Sequence, residues 1–210
     1  MGVVGIVAGR ICEEYNRPTL ICGKGLIESV GSARSIPAFD IIDAISSCKN
    51  LLLEYGGHKQ AAGFSLKNEN FEKFHKKLEK IATEKIDEKD LQPVIEIDSE
   101  VDFKDVNWNL YERLLDFEPH GIGNRKPVFL AKDIQVINAY PVGKTKKHLK
   151  MKIKSNSDSR IFDVIGFNHG HRVEELNKKG KMDIVFNLDC NEWNGEKILQ
   201  LRLVDFRISL

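Results

Sequence analysis

The sequence predicts two small domains, a layered α/β domain followed by an all-β barrel with one or two short helices. The length of 210 residues suits two domains of about 100 residues each. Helix and strand patterns alternate over residues 1–84, whereas strand patterns dominate residues 93–210. The charged stretch 85–92 between them ends at Pro93, and we interpret it as a linker or as the end of the preceding helix.

The first domain is predicted to contain helix, strand, strand, helix, strand and helix, in that order. Apolar residues at helical spacing mark a first helix before Pro18, and Asp40 and Asn68 are placed to cap the second and third helices. Two glycine-rich stretches, 31–35 and 55–58, are expected to be loops. The strands are the short apolar stretches 19–22, 26–30 and 61–66.

The second domain is predicted to be a barrel. A strand-like stretch at 94–98 and an amphipathic helix at 108–117 come first. Five strand patterns follow, at 128–140, 148–154, 160–167, 182–191 and 198–208. Polar and apolar residues alternate in 150–154 and 199–203, which is typical of half-buried antiparallel strands. Five strands with one helix, 172–178, between the third and the fourth are the element order of an oligonucleotide-binding (OB) barrel.

The charge pattern has one strongly polarised feature. The net charge of +1, from 32 basic and 31 acidic residues, indicates no particular partner. Residues 144–154, however, hold six lysines and no acidic residue. A strand here would carry lysines on one face, which favours a polyanion such as nucleic acid, although lysines also protect solvated edge strands against aggregation. Aromatic side chains available for base stacking are Tyr140, Phe162, Phe167 and Trp193.

Two glycine-rich stretches contain groups suited to phosphate. The stretch Gly56-Gly57-His58 combines a backbone that a ligand can approach closely with an imidazole that can donate to a phosphate oxygen. Arg34, flanked by the hydroxyls of Ser32 and Ser35, offers a planar fork that matches phosphate oxygens. The two stretches belong to one small domain and can converge on one site. The alternatives are a tight turn with a solvated histidine and a surface loop with a solvated arginine.

The loop 119–127 is a third candidate for phosphate binding. Its glycines and Asn124 lie beside the cations Arg125 and Lys126. A connecting turn explains the same composition, because Gly, Asn and Pro are favoured in turns for conformational reasons.

Several classes of protein are excluded by what the sequence lacks. Its apolar runs are shorter than the roughly 20 residues of a membrane-spanning helix, and no basic segment precedes an apolar stretch as in a secretory signal. No P-loop, nucleophile elbow or cluster of Asp and His with two-metal spacing is present, so no complete catalytic site and no metal site are predicted. Four cysteines without a C-x-x-C pair indicate reduced thiols in the cytoplasm: Cys12, Cys22, Cys48 and Cys190.

Segments of both domains carry a family signature. In the first domain they are 2–11, 31–40 and 56–64, and in the second domain they are 118–124, 127–129, 191–195 and 199–201. Together they resemble the RecJ family, the bacterial 5′→3′ exonucleases of the DHH phosphoesterase superfamily that are specific for single-stranded DNA. The Gly-Gly-His motif alone is shared with other superfamily members. Two alternatives stay open: another superfamily phosphodiesterase, for oligoribonucleotides or cyclic dinucleotides, and a stand-alone module that binds single strands.

The resemblance implies a DHH-associated domain at 1–84 and an OB domain at 93–210. The catalytic domain of the family is then outside this sequence, so the chain alone is expected to be inactive and to hold no cofactor. The Mn²⁺ or Mg²⁺ of the family is expected in that catalytic domain. The implied partners are single-stranded DNA, the catalytic domain and a single-strand-binding protein, with no membrane.

The resemblance also implies roles for individual residues. Ser32 and Arg34, with Ser35 beside them, match a clamp on the 5′-terminal phosphate. His58, with Gly56-Gly57, matches the loop that faces the scissile phosphate, where it has a supporting catalytic role. The OB domain is expected to guide the strand into the catalytic cleft. Its candidate nucleic-acid-binding residues are Lys144, Lys146, Lys147, Lys150, Lys152, Asn124, Arg125 and Trp193.

Overall fold

The computed structural model describes residues 3–121, 123–155, 159–176 and 181–209, without the side chain of Trp193. The chain divides into two compact units, Met1–Val94 and Ile95–Leu210. Each unit has its own core of buried apolar side chains. No helix in the described ranges is both long enough and apolar enough to span a bilayer.

The first unit is a four-stranded antiparallel sheet with helices on both faces. Its helices are α1 (Val4–Tyr15), α2 (Ile41–Ser46) and α3 (Phe71–Lys85). Its strands are β1 (Thr19–Lys24), β2 (Glu28–Arg34), β3 (Glu54–His58) and β4 (Ala61–Lys67), in the spatial order β1-β2-β4-β3. On one face Phe64 of β4 packs against Phe74 of α3, with ring centroids 5.1 Å apart. On the other face Gly5 of α1 lies against Ser32 of β2.

Both glycine-rich stretches that were predicted to be loops are strands, and β3 is a strand that the sequence did not predict. Residues 31–34 belong to β2 and residues 56–58 belong to β3. The glycines permit close packing rather than a turn. A Cβ on Gly31 would lie 2.3 Å from the ring of Phe64, and a Cβ on Gly57, at φ +148°, would lie 2.3 Å from a backbone oxygen of β4.

One of the two predicted helix caps is confirmed. The Asp40 side chain accepts a 3.1 Å hydrogen bond from the backbone N–H of Asp43 at the start of α2. The cap predicted at Asn68 is wrong, because its side chain turns to the hairpin between β1 and β2. Its amide nitrogen donates to the carbonyl oxygens of Gly25 and Leu26, at 3.0 and 3.2 Å, and its amide oxygen accepts from Ser29 at 2.7 Å. Asn68 therefore fixes the hairpin tip.

The charged stretch after α3 packs against the first unit. Ile86 and Leu91 contact its core, and the guanidinium of Arg17 donates a 2.8 Å hydrogen bond to the carbonyl oxygen of Leu91. The next expected strand, 94–98, is absent from the structure. A two-residue strand, β5 (Ser99–Glu100), lies just beyond it and pairs in parallel with the first barrel strand.

The second unit is a closed barrel, as predicted. After helix α4 (Trp108–Leu115), the barrel strands are β6 (Phe129–Val142), β7 (His148–Lys154), β8 (Ile161–Gly166), β9 (Lys181–Trp193) and β10 (Glu196–Ser209), with α5 (Val173–Leu176) between β8 and β9. Their spatial order is β6-β7-β8-β10-β9, and β9 pairs with β6 to close the ring. Residues 177 and 178 of the predicted helix lie outside the described residues.

The alternation predicted for the lysine-rich strand is confirmed in β7. Leu149, Met151 and Ile153 are fully buried in the barrel, which directs the intervening lysines to the outer face. Phe162, in contrast, cannot stack on a base. It is buried in the barrel core, where its ring centroid lies 4.9 Å from that of Phe103.

Candidate nucleic-acid interface

In the first unit, Arg34 and His58 lie in one row across three strands. Arg34 of β2 pairs with Ala61 of β4, and Ala61 pairs on its other side with His58 of β3. Directly opposed residues of antiparallel strands share a face. The two Cα atoms are separated by two strand spacings, roughly 10 Å. The two stretches that were predicted from the sequence to bind phosphate therefore contribute side chains to one surface.

The floor between these two side chains is made of small residues. The row next to Arg34, Ala61 and His58 contains Ser32, Gly63 and Gly56 in the corresponding positions. With no side chain on either glycine, an anion can approach the backbone of β4 and β3 closely. Gly57, by its alternate position, belongs to the opposite face.

The guanidinium of Arg34 is held in place by its own strand. Its Nη1 donates to the hydroxyl of Ser32 at 3.0 Å and to the carbonyl oxygen of Ala33 at 2.8 Å. Within the described part of the chain no carboxylate pairs with Arg34, so a half-buried cation keeps unused N–H donors. Such a fixed fork, with unmet donors, suits a phosphate.

The other side chains predicted to bind phosphate at this site, those of His58 and Ser35, differ in whether their polar groups are free to do so. The side chain of His58 is exposed and makes no hydrogen bond to any described residue. The hydroxyl of Ser35 donates a 2.7 Å hydrogen bond to the carbonyl oxygen of Phe39. Its proton is thus committed to the turn after β2, and donation to a phosphate would require breaking that bond.

In the second unit, the outer face of the barrel carries a row of four residues from four neighbouring strands. Tyr140 of β6 pairs with Lys150 of β7, Lys150 pairs with Ile165 of β8, and Ile165 pairs with Arg202 of β10. The row combines two cations with an aromatic side chain that is 43% exposed. We call this surface, with Lys152, His148 and Phe167, the barrel face.

Phe167 is the centre of an aromatic cluster at one end of the barrel face. Its ring lies 5.3 Å from that of His148 in an edge-on arrangement, and the guanidinium of Arg202 lies 5.2 Å from its centroid. The ring remains 46% exposed. Arg202 was missed by sequence reasoning, because its place beside Phe167 depends on the parallel pairing of β8 with β10.

The lysines on and beside the barrel face are not paired with carboxylates in the described part of the chain. None of the six lysines in 144–154 forms an ion pair with a described residue. Lys144, Lys146 and Lys147 lie exposed in the turn before β7. Asp163, paired in register with Lys152, is the acidic residue in this part of the face. Lysines that form no ion pair with a described residue, next to exposed rings, are the two components that single-stranded nucleic acid requires.

The remaining predicted ligands are placed elsewhere in the second unit. The amide of Asn124 donates to the carbonyl oxygens of Phe117 and Pro119, at 2.7 and 3.0 Å, and so holds its own loop. Arg125 forms an ion pair with Glu96 at 2.5 Å. Trp193 lies at the end of β9, but its side chain is outside the described part of the structure. Contacts of these three with nucleic acid stay predictions.

The described residues offer no place for a structural or catalytic metal ion. Nowhere in the described ranges do three or more His, Cys, Asp or Glu side chains come together as ligands. The described side chains therefore do not form the ligand set of a divalent cation.

The comparisons with known proteins agree with both units. Residues 97–205 match the family model described as the RecJ OB domain, and residues 1–84 match the DHHA1 domain. The chain is 34% identical, over 99% of its length, to the single-stranded-DNA-specific exonuclease RecJ of Bacillus subtilis. It is 32% identical, over 98%, to the exonuclease of the same name from Haemophilus influenzae. The chain spans 26% and 36% of the lengths of these two relatives.

The fold is also similar to a solved structure. The crystal structure of RecJ from Thermus thermophilus in complex with Mn²⁺ matches 98% of this chain with a TM-score of 0.74 and 28% identity, and the chain covers 29% of that protein. The match to a RecJ OB domain distinguishes this family from superfamily members that share only the Gly-Gly-His motif. The chain belongs to the RecJ family and contains its DHHA1 and OB domains.

Proposed function

We propose that this chain holds and guides single-stranded DNA for a RecJ-type 5′→3′ exonuclease. The observation that carries the proposal is the row of Tyr140, Lys150, Ile165 and Arg202 on the barrel face. In OB barrels the face of the second and third strands and the loops that join strands 1 and 2 and strands 4 and 5 form the usual oligonucleotide surface. Here those strands are β7 and β8, and the turn between β6 and β7 holds three of the lysines.

The chemistry of the barrel face suits a single strand better than a duplex. Exposed rings such as Phe167 can stack on a base only when that base is not already stacked and paired, and each such contact contributes about 1–3 kcal/mol. Lysines that form no ion pair with a described residue attract the backbone phosphates and release the counterions of the nucleic acid. Both contacts are tolerant of sequence, as an exonuclease that degrades any strand requires.

In the first unit, Arg34 and Ser32 are proposed to bind the 5′-terminal phosphate, and His58 to face the scissile phosphate in a supporting role. Support comes from their common surface and from the guanidinium of Arg34, which forms no ion pair with a described carboxylate. A guanidinium fixed before the ligand arrives loses little side-chain entropy on binding, which favours affinity.

The activity of the whole protein is part of the same proposal. Hydrolysis, with Mn²⁺ or Mg²⁺, is assigned to a catalytic domain outside these 210 residues, and a single-strand-binding protein is a proposed partner. We place the protein in the cytoplasm, in DNA repair and recombination. The four cysteines support a reducing compartment, since all are free thiols and burial raises the pKa of Cys12, Cys22 and Cys48, which keeps them protonated and unreactive.

A charge reversal on the barrel face tests the proposal. Lys150→Glu with Lys152→Glu is expected to abolish binding of a fluorescent oligo-dT strand, measured by anisotropy with the full chain. The matched control is Lys73→Glu with Lys76→Glu on α3, two exposed lysines of the first unit, which should retain binding. For the wild type, the logarithm of affinity should fall with the logarithm of salt by about 0.7 for each phosphate contacted. Unchanged affinity of the barrel-face variant would remove the barrel from the proposal.

The chain by itself is also expected to hydrolyse nothing. A 5′-phosphorylated, 3′-labelled strand incubated with the purified chain and Mn²⁺ should remain intact on a denaturing gel. The opposite result would be a metal-dependent nuclease activity that co-purifies with the chain, releases mononucleotides and is lost in the Arg34→Gln variant. That result would show that the residues for hydrolysis lie within this chain.

A further inference from the structure

A polar pocket adjoins the barrel face and joins two lysines of the turn before β7, Lys146 and Lys147, to side chains that the proposed function does not use. It is an open pocket of about 520 Å³ between the turn that precedes β7 and the turn that follows β8. Five polar side chains line it: Thr145, Lys146, Lys147, Asn168 and His171. Sequence reasoning did not group them, because they come from two segments more than twenty residues apart.

Hydrogen bonds hold the two turns of this pocket in place. The N–H of Gly170 donates to the carbonyl oxygen of Lys147 at 2.8 Å and joins the two turns, and within the first turn the N–H of Lys146 donates to the carbonyl oxygen of Gly143 at 3.0 Å. The N–H of Asn168 donates to Nδ1 of His148 at 3.2 Å. Since His148 belongs to the barrel face, this last bond joins the wall of the pocket directly to that face.

The lining of the pocket attracts anions. Two ammonium groups, an imidazole, a hydroxyl and an amide can all donate hydrogen bonds, and no carboxylate is among the lining residues. The nearby Glu175 is paired with Arg172, with a 2.9 Å contact between carboxylate oxygen and guanidinium nitrogen, and it interacts electrostatically with His171 from outside the lining. Charge-assisted donors around an open space of this size suit a phosphate group.

Lys146 occupies a backbone conformation that does not suit a lysine. Its φ is +54°, in the left-handed region that glycine and asparagine adopt at lower cost. A lysine at this position makes the fold less stable than a glycine would, but it contributes a cation to the pocket. Unfavourable backbone conformations of this kind are concentrated at ligand-binding sites.

We propose that this pocket binds a backbone phosphate of the strand that lies on the barrel face. The strand would pass from Lys150 and Tyr140, over Phe167 and His148, to Lys146, Lys147 and His171 at the end of the barrel. The inference rests on the proposed function and extends the path of the strand by one phosphate site.

The test uses the full chain and two single variants, Lys146→Gly and His171→Gln, with Lys80→Gln as the matched control. Lys80 lies exposed on α3 of the first unit. Lys146→Gly should unfold at the same temperature as the wild type or at a higher one, because glycine relieves the backbone. Its affinity for oligo-dT should nevertheless fall about three- to tenfold, and its salt dependence should decrease by about 0.7 in log–log slope, the value for one phosphate contact. His171→Gln should weaken binding without that gain in stability, and Lys80→Gln should change neither.

Titration with inorganic phosphate gives a second readout that does not depend on the barrel face. In NMR spectra of the full chain, the backbone amides of Thr145, Lys146 and Gly170 should shift with millimolar phosphate, and these shifts should be lost in Lys146→Gly and His171→Gln. If the wild type binds oligo-dT and Lys150→Glu with Lys152→Glu abolishes binding, while both pocket variants bind as the wild type does, the pocket is refuted and the proposed function stands. A wild-type chain that does not bind the strand would refute both.

Discussion

The guanidinium of Arg34 donates a 3.0 Å hydrogen bond to the hydroxyl of Ser32, two residues earlier in the same strand. Alternation along a strand places both side chains on one face, so each residue positions the other without help from a loop. The arrangement fixes Nη1 of the guanidinium, while Nη2, which lies beside Gly5 of α1, and Nε form no hydrogen bond with a described residue. Arg34 is therefore the proposed phosphate ligand, and Ser32 is both its support and a second donor.

Replacement of Arg34 by lysine should remove recognition of the 5′-phosphate. Lysine keeps the charge but loses the planar fork and the hydrogen bond to Ser32. The wild-type chain is expected to bind a 5′-phosphorylated oligo-dT more tightly than the 5′-hydroxyl form. Arg34→Lys should reduce this preference about tenfold, the equivalent of one charge-assisted hydrogen bond of roughly 1.4 kcal/mol. Anisotropy titrations with both strands measure the ratio, and an undiminished preference would argue against Arg34 as the ligand.

Replacement of Phe167 by leucine should weaken binding without altering its salt dependence. Leucine retains apolar bulk but offers no ring for a base or for the guanidinium of Arg202. The expected loss is about 1–3 kcal/mol of binding free energy, as for one stacked base. The log–log salt slope should match that of the wild type, because no phosphate contact is removed. A reduced slope with full affinity at low salt would assign Phe167 an electrostatic role through Arg202 in place of stacking.

Asp183 should make the stability of the chain depend on acid pH. Burial raises the pKa of its carboxyl, but hydrogen bonds from Arg207, the backbone N–H of Asp133 and Ser209 outweigh burial, and the pKa lies below its ordinary value. A carboxyl with a lowered folded-state pKa stabilises the fold above the unfolded pKa near 3.9 and loses that contribution as pH falls through the folded value.

Asp183→Asn tests this pH dependence. At pH 7 the variant should be about 1–3 kcal/mol less stable in urea unfolding, because the donors around Asp183 lose the charged carboxylate that accepts their hydrogen bonds. The difference from wild type should shrink as the pH falls below about 4. Asp105→Asn, at an exposed position, is the control and should be as stable as the wild type at pH 7. A difference that stays constant from neutral to acid pH would contradict the role of the charge.

Asn68 should contribute to stability through the hairpin and not through α3. Asn68→Ala removes both amide donors that hold Gly25 and Leu26 and leaves the hydroxyl of the buried Ser29 without its partner. The expected cost is about 1–3 kcal/mol, measured by urea unfolding. Asn68→Asp, which keeps the acceptor for Ser29, should recover part of the loss. Equal destabilisation by both substitutions would indicate that the donors alone hold the hairpin.

The elements that could be predicted from the sequence are those in which apolar residues recur at the regular spacing of a strand or a helix. In β7, buried Leu149, Met151 and Ile153 alternate with polar residues, and the strand occupies the predicted residues 148–154. The strand β3 has no such period, because Glu54–His58 is exposed along its whole length and contains two glycines. Glycines that serve close packing cannot be told from glycines that serve a turn in a single sequence.

The residues of the two candidate surfaces were predicted better than their arrangement. Arg34 and His58 were both named from the sequence, but their common row depends on how β2 and β3 pair with β4. Arg202 and His171 were missed, because each reaches its surface through a contact between segments far apart in the chain. Register and barrel closure are products of the whole fold, and local composition does not encode them.

The row that joins Arg34, Ala61 and His58 constrains how this domain can change in evolution. Successive residues of a strand face opposite sides, so an insertion or deletion of one residue within β4 would move Arg34 and His58 out of line with each other. Substitutions that keep Ala61 and Gly63 small are tolerated by the same geometry. Relatives should therefore vary in the lengths of their connecting segments and keep the residue count of these three strands unchanged.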